Sequence, residues 1–135
     1  MKSFIEWSVG LAVLLLWCGL LCWLWLRRAA PTASDGGRRA RASWYGEGYR
    51  GKTMANGRPF DPEGMTCASW DYPLGTLLRV RHADSGRYVI VEVTDRGPAH
   101  WTKCSIDLSA RAFRRLASPA LGIIAVDILK MEGGR

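Results

Sequence analysis

The sequence predicts a mainly β domain, a small closed barrel of five or six short strands with one short helix, behind an apolar N-terminal helix. Short β-branched and aromatic segments recur between glycine- and proline-containing turns over residues 42–131. One segment of this region, residues 109–116, is typical of a helix, with Ser109 as its N-cap and Pro119 beyond its end. So many short strands leave exposed edges unless the sheet closes, which favours a barrel.

An apolar segment precedes the domain. Residues 7–26 are twenty residues without a charge, and a helix of this length crosses about 30 Å of hydrocarbon. The segment is long and ends in Arg27 and Arg28, which argues against a cleavable signal peptide. Cys18 and Cys22 follow bulky residues, where a lipoprotein signal carries a small one. Residues 1–28 are therefore predicted to form an uncleaved membrane anchor.

Residues 29–41 are small, polar and basic without apolar periodicity, and they are predicted to form a flexible linker. Positive charge is light before the apolar segment and heavy after it, which favours a cytoplasmic C-terminal side. Residues 1–41 carry a net charge of +4 and residues 42–135 a net charge of +3. Because basic residues are not concentrated in the domain, nucleic-acid binding is disfavoured.

The strands can be placed from their composition and their turns. The clearest is a hairpin of residues 76–82 and 87–94 around the turn at residues 83–86. Four further strands are predicted at residues 42–45, 65–69, 103–107 and 122–129, and residues 132–135 are a C-terminal tail. The domain is thus predicted to cover residues 42–131.

The strand at residues 89–94 leads directly into Asp95, Arg96, Gly97 and Pro98. Glycine and proline favour a sharp turn there, so the carboxylate of Asp95 is held at the end of a rigid strand. A cleft wall beside such a carboxylate can tune it for acid–base chemistry. The alternative is a turn aspartate that caps backbone N–H groups and pairs with Arg96.

Five motifs then follow one another in the order and spacing of one family. They are ASWYGEGYRGKTMANGRPFD, TCASWDYPLGTLLRV, GRYVIVEVTDRGP, IDLSARAFRRL and GIIAVDIL. Together they resemble the rare lipoprotein A (RlpA) family of bacterial cell-wall proteins over residues 42–130. The resemblance implies a six-stranded double-psi β-barrel and lytic transglycosylase activity on peptidoglycan glycan strands, with a preference for strands without stem peptides. It also implies that Asp95 is catalytic and that neither a metal nor an organic cofactor is required.

The chain departs from the family pattern at two positions. Arg58 follows Ala-Asn-Gly where the family has glutamate, and Ser69 stands where it has histidine. These replacements leave open an alternative, a catalytically impaired glycan-binding module tethered to the membrane. His100 and Asp107 are further candidates for proton transfer; a solvated loop histidine and a turn carboxylate bonded to nearby backbone are the alternatives.

Sugar rings stack on aromatic side chains, and arginine hydrogen-bonds sugar hydroxyls and carboxylates. The candidates for substrate binding are Tyr49, Arg58, Ser69, Trp70, Arg96 and Trp101.

Cys67 and Cys104 lie in two predicted strands, and we expect a disulfide between them. A disulfide implies an oxidising compartment, and the cell-wall substrate implies the same side. Both oppose the charge bias and favour a bacterial inner-membrane protein with its C-terminal domain in the periplasm.

Overall fold

Six strands and one α-helix form a closed barrel in residues 36–132, the part of the chain that the computed structural model describes. Around the barrel the strands follow the order β1-β5-β2-β4-β3-β6. The elements are β1 (Arg38–Tyr45), β2 (Thr66–Ala68), β3 (Leu77–His82), β4 (Tyr88–Asp95), β5 (Ile106–Ser109), α1 (Ala110–Leu116) and β6 (Ile124–Lys130). The predicted mainly β barrel with one short helix is confirmed.

Parallel pairing of strands that are distant in sequence brings two aspartates to one region of the barrel wall. β1 pairs in parallel with β5, and β2 pairs in parallel with β4. β2 is antiparallel to β5, so Ala68 lies opposite Asp107 on one side and opposite Asp95 on the other. Because neighbouring strands are about 4.8 Å apart, the backbones of these aspartates are separated by about 10 Å.

Alternation along the strands supplies the barrel core. Every strand contributes apolar side chains to the core, most of them aliphatic, with Cys67 as the contribution of β2, and Phe113 and Leu116 of α1 pack against them. A side chain of this size contributes roughly 1.5–3 kcal/mol when it is fully buried. The largest fully buried members are Phe113, Leu78, Ile106, Leu108, Leu116, Ile128, Val80, Val91, Val93 and Val126.

A bulge near the end of β4 turns Asp95 out of the core. The inward positions of β4 are Val89, Val91 and Val93, so simple alternation would direct residue 95 inward as well. The pairing with β2 instead moves from Cys67 opposite Val93 to Ala68 opposite Asp95, which leaves Thr94 as an extra residue. A bulge of this kind reverses the alternation beyond it, and it places Asp95 on the same face as Ala68.

β1 begins four residues earlier than predicted. Residues 38–41, assigned above to the linker, pair with β6 from Arg38 opposite Ile128 onward. The linker prediction is therefore wrong for these four residues. They lack apolar periodicity because this part of the strand is held by backbone pairing and by an ion pair between Arg39 Nε and the buried Asp127 Oδ1, at 3.2 Å.

β5 begins later than predicted, at Ile106 instead of Lys103. His100–Thr102 forms a single 3₁₀ turn, and Lys103 ends it in the left-handed conformation with φ 54°. A strand cannot pass through that conformation, so regular pairing starts only after it. The shift keeps Asp107 within the paired part of β5.

The predicted membrane anchor, residues 1–28, lies outside the described residues, as do residues 29–35 of the linker and 133–135 of the tail. Within residues 36–132, no helix combines the length and apolar character that crossing a membrane requires.

Candidate active site

A groove on the outer side of the barrel wall collects the polar side chains of three strand ends. Its cavity volume is about 190 Å³. Asp95 and Asp107 lie on the two strands that flank Ala68, and the short side chain of Ala68 leaves space between them. The groove is lined by Tyr45, Tyr49, Ala68, Asp95, Arg96, Gly97, Pro98, Ala99 and Asp107.

Asp95 is fixed by backbone groups. Its Oδ1 accepts hydrogen bonds from the N–H of Ala55 at 2.9 Å and of Arg96 at 2.8 Å. Both bonds end on the same oxygen, which leaves Oδ2 as the oxygen able to exchange a proton with a substrate. The side chain therefore does cap backbone N–H groups, as the alternative for a turn aspartate proposed, and it also faces the groove.

Asp107 meets a different environment. The hydroxyl of Ser43, on the neighbouring strand β1, donates a hydrogen bond to its Oδ1. Burial raises the pKa of Asp107, and the hydrogen bond from Ser43 acts in the opposite direction with a smaller effect. The bond to Ser43 is to a side chain 64 residues away, so the local backbone bonding that was the alternative for Asp107 is not its main contact.

Tyr45 is a groove residue that the sequence analysis missed. Its ring stacks on Phe60 at 4.3 Å and meets Tyr49 edge-on at 5.8 Å. Its hydroxyl is buried beside the side chain of Thr66. Burial raises the pKa of Tyr45, as do Asp95, Cys67 and Asp107, whereas Thr66 acts in the opposite direction. The hydroxyl therefore stays neutral and is able to donate.

Tyr45 lies two residues after Ser43, so the two side chains share one face of β1, and this spacing was the sequence feature that could have indicated its place in the groove. Only the parallel pairing of β1 with β5 shows that this face is shared with Asp107. Gly97 was also not recognised as a packing residue. A Cβ at Gly97, where φ is 152°, would lie 3.3 Å from the Cβ of Ala68.

Arg96 and Ser69 belong to the framework of the groove. The Arg96 guanidinium donates from Nη1 to the carbonyl oxygens of Ser69 at 2.8 Å and Tyr72 at 2.7 Å. It thus holds the 69–72 loop and does not pair with Asp95. Ser69 is fully buried, and its hydroxyl donates to the carbonyl of Ser105. The prediction that Ser69 contacts substrate does not agree with this burial.

Arg58 does not line the groove. Its Nη2 pairs with Glu92 Oε1 at 3.1 Å, and its side chain is exposed. The turn that carries it does cover the end of β4, because the N–H of Asn56 donates to the carbonyl of Thr94. Arg58 thus neutralises Glu92 and is not placed to pair with Asp95.

The aromatic candidates lie on and beside the groove. Tyr49 lines it, whereas Trp70 donates from its indole N–H to the carbonyl of Pro98 in the groove wall. Trp70 also stacks on His100 with ring centroids 5.8 Å apart, so His100 is part of an aromatic pair outside the lining. Tyr49, Trp70 and Trp101 are 53%, 56% and 85% exposed, although His100 covers one face of Trp70 and the ammonium of Lys52 lies over the Tyr49 ring at 4.6 Å.

Cys67 and Cys104 are free thiols, so the predicted disulfide is wrong. Cys67 is fully buried inside the barrel, and this burial raises the pKa of its thiol. Cys104 lies in the segment before β5, and its thiol contacts the carbonyl of Thr102 at 3.6 Å. Because one sulfur points into the core and the other into a loop, a bond between them would require the barrel wall to move. The argument for an oxidising compartment loses this support.

Comparison with known proteins identifies the family. Residues 38–128 match the family model described as "Lytic transglycolase". The chain is 42% identical over 92 residues to the endolytic peptidoglycan transglycosylase RlpA of Pseudomonas aeruginosa (strain UCBPP-PA14), covering 68% of this chain and 26% of that protein. It is 40% identical over 91 residues to the probable RlpA of Synechocystis sp., covering 66% and 28%. The chain thus spans about a quarter of the length of these curated relatives.

Solved structures share the fold. An expansin from Clavibacter michiganensis aligns with a TM-score of 0.56 and 28% identity, over 72% of this chain and 51% of the expansin. A Streptomyces papain inhibitor aligns with a TM-score of 0.54 and 24% identity, over 72% of this chain and 97% of the inhibitor. Family match and barrel topology agree with the fold that the motifs implied. The chain therefore belongs to the lytic transglycolase family and carries an RlpA-like domain.

Proposed function

We propose that the domain is a peptidoglycan lytic transglycosylase, which cleaves the β-1,4 bond between N-acetylmuramic acid and N-acetylglucosamine and leaves a 1,6-anhydro end. One observation carries the proposal. The carboxylate of Asp95 is held at the end of β4 by two backbone N–H groups and faces an open groove. A carboxyl group fixed in this way can exchange protons with a bound sugar.

The comparisons support this substrate class. Relatives with about 40% identity over the domain carry the name endolytic peptidoglycan transglycosylase. An expansin of the same fold, with a TM-score of 0.53, was solved in complex with cellohexaose, a β-1,4-linked sugar chain. Tyr49 in the groove lining and Trp70, which bonds to the groove wall at Pro98, offer aromatic rings for such a chain, and Trp101 is exposed two residues after the lining residue Ala99.

The reaction needs proton transfers and an internal nucleophile. An acid protonates the oxygen that leaves the anomeric carbon of the muramic acid, and a base removes the proton of its 6-hydroxyl. That hydroxyl then bonds to the anomeric carbon of its own ring. Ordinary glycoside hydrolases use two carboxylates to manage a water molecule, whereas this intramolecular attack consumes none.

A second candidate is a glycan-binding module without turnover. It is favoured by Arg58 and Ser69, which stand where the family resemblance implies glutamate and histidine. Neither residue lines the groove, since Arg58 pairs with Glu92 and Ser69 is buried. Any turnover must therefore rely on Asp95, Asp107 and groups around them.

Digestion of purified glycan strands distinguishes the two candidates. The full-length chain in mild detergent is incubated with strands that keep or lack stem peptides, and products are analysed by mass spectrometry. We expect 1,6-anhydro ends, formed faster from strands without stem peptides. Asp95→Asn should lower the rate by at least about 100-fold, whereas Asp84→Asn, in the exposed hairpin turn, should not change it. Retention on strands without anhydro product supports the binding module.

The same proposal places the barrel in the periplasm, with residues 1–28 as its inner-membrane anchor. Peptidoglycan is on that side of the membrane, and twenty uncharged residues suffice for a span. Fusing alkaline phosphatase, which is active only after export, to the C-terminus tests the orientation. We expect this phosphatase fusion to be active. The proposed orientation is wrong if the phosphatase fusion is inactive while a matching fusion to a protein that fluoresces only in the cytoplasm is fluorescent.

A further inference from the structure

We propose that Asp107 and Asp95 divide the two proton transfers, with Asp107 protonating the leaving oxygen and Asp95 accepting the proton of the attacking 6-hydroxyl. The assignment rests on the proposed lytic transglycosylase function and makes the groove a two-carboxylate site. It differs from a mechanism in which a single carboxyl group first donates and then accepts.

The hydrogen-bond partners of the two carboxyl groups distinguish their roles. Both groups that contact Asp95 Oδ1 are backbone N–H groups, which donate and cannot accept. They suit a carboxylate that is ionised when the substrate arrives. Asp107 instead meets the hydroxyl of Ser43, which donates to an ionised carboxylate and can turn to accept from a protonated one. Asp107 can therefore hold a proton without losing its partner.

The surroundings of Asp107 favour the protonated form. Burial raises the pKa of Asp107, so the group retains its proton at a pH at which an ordinary aspartate has lost it. The titratable groups that line the groove with it are Tyr45, Tyr49 and Asp95. The guanidinium of Arg96, the cation in the lining, is bonded to the Ser69 and Tyr72 carbonyls. The guanidinium in the groove lining is thus bonded to backbone carbonyls, and burial is the main influence on the pKa of Asp107.

The positions of the two groups fit one face of a sugar ring. Asp107 and Asp95 lie on either side of Ala68, with backbones about 10 Å apart. The bond that breaks and the bond that forms both lie on the β face of the muramic ring, so both protons move on the side facing the groove floor.

The two transfers balance without a water molecule. The bond from C1 to the leaving oxygen breaks, and this oxygen keeps the electron pair and takes the proton of Asp107. The 6-oxygen bonds to C1 and gives its proton to Asp95. Solvent then returns a proton from Asp95 to Asp107, which resets the site.

A substrate whose leaving group needs no proton distinguishes the residue that acts as the acid from the residue that acts as the base. The full-length chain and its Asp107→Asn, Asp95→Asn and Asp84→Asn variants are compared on two substrates. One is a glycan strand without stem peptides, and the other is a GlcNAc–MurNAc tetrasaccharide with 4-nitrophenol on its reducing-end muramic acid. We expect Asp107→Asn to lose at least about 100-fold on the strand and under about 10-fold on the nitrophenyl substrate. Asp95→Asn should lose activity on both, and Asp84→Asn on neither.

Other outcomes overturn the assignment in distinct ways. If Asp107→Asn loses activity equally on both substrates, Asp107 does not act as the acid. If the nitrophenyl substrate instead restores the activity of Asp95→Asn alone, the two roles are reversed. A wild type that yields no anhydro product overturns the proposed function and this assignment with it.

A second experiment does not depend on turnover. The ¹³C resonance of the Asp107 carboxyl group is expected to titrate at higher pH than that of an ordinary aspartate. Titration at the ordinary pH contradicts the assignment even in an active enzyme.

Discussion

Two aspartates with identical side chains have different surroundings in the groove. Asp95 receives two backbone N–H groups at the end of β4, whereas Asp107 is half-buried and bonded to one hydroxyl. Burial of a carboxyl group favours its neutral form and hydrogen-bond donors favour its charged form. A groove that combines the two environments can hold one proton donor and one proton acceptor within the reach of a single sugar.

The burial of Asp107 predicts a stability cost that depends on pH. Its folded pKa is raised above the ordinary 3.8, so at a pH below that value both folded and unfolded chains carry the proton. As the pH rises, the unfolded chain releases the proton first, and the free energy of unfolding falls. Asp107→Asn avoids this loss. We expect the variant to be more stable than the wild type at about pH 7, with the difference shrinking towards about pH 3.

Urea unfolding at several pH values measures this difference. Asp84→Asn, in an exposed turn, serves as the matched control and should show no pH-dependent gain. A difference between Asp107→Asn and the wild type that is constant with pH would contradict the predicted cost. Loss of activity together with a gain in stability is the pattern expected of a side chain retained for function.

At the scale of the element, α1 depends on what surrounds it. Seven residues are too few for a stable isolated helix, so its order comes from Phe113 and Leu116 in the core and from its N-cap. The hydroxyl of Ser109 accepts from the N–H of Ala112 at 3.4 Å and donates to the carbonyl of Gly64 at 2.6 Å. Ser109 thus fastens the segment between β1 and β2 to β5, two residues after Asp107.

Ser109→Ala should therefore lower the free energy of unfolding by about 1–2 kcal/mol, because the helix loses its cap and the part-buried carbonyl of Gly64 loses its donor. Ser118→Ala is the matched control. Ser118 caps the 3₁₀ helix Pro119–Leu121, is exposed, and accepts only from Ala120 at 3.4 Å. We expect a change below about 0.5 kcal/mol there. Chemical denaturation measures both, and equal losses would show that the bond to Gly64 has little effect.

At the scale of the whole molecule, pairing of β1 with β6 closes the barrel. Residues 38–42 supply this pairing, and Asp127 of β6 lies between Arg39 and Arg81 of the two neighbouring strands. Asp127 is only 3% exposed, so its charge is buried with its partners. The first strand of the domain therefore joins β5 to β6 in the closed barrel.

A chain that starts at residue 42 should be much less stable than one that starts at residue 36. The shorter chain loses four residues of backbone pairing and one of the two arginines beside Asp127, and we expect a loss of about 3 kcal/mol or more. Thermal unfolding followed by circular dichroism compares the two. Equal transition temperatures would show that residues 38–41 do not contribute to closure.

The sequence predicted what local chemistry determines. Neighbouring residues were enough to predict the hairpin, the N-cap Ser109 and the position of Asp95 at the end of a strand. Contacts between distant strands were not. The bond from Ser43 to Asp107 spans 64 residues, and Tyr45 joins the groove only because β1 pairs in parallel with β5. The disulfide prediction failed for the same reason, since strand composition does not tell which way a sulfur points.

The extra residue in β4 makes the groove depend on strand pairing as well as on side-chain identity. If β4 ran on without the bulge, Thr94 would lie opposite Ala68 and the aspartate would turn into the apolar interior, although every groove residue would remain unaltered. A barrel could therefore keep each motif letter and still be inert, so the motif letters alone do not identify an active member.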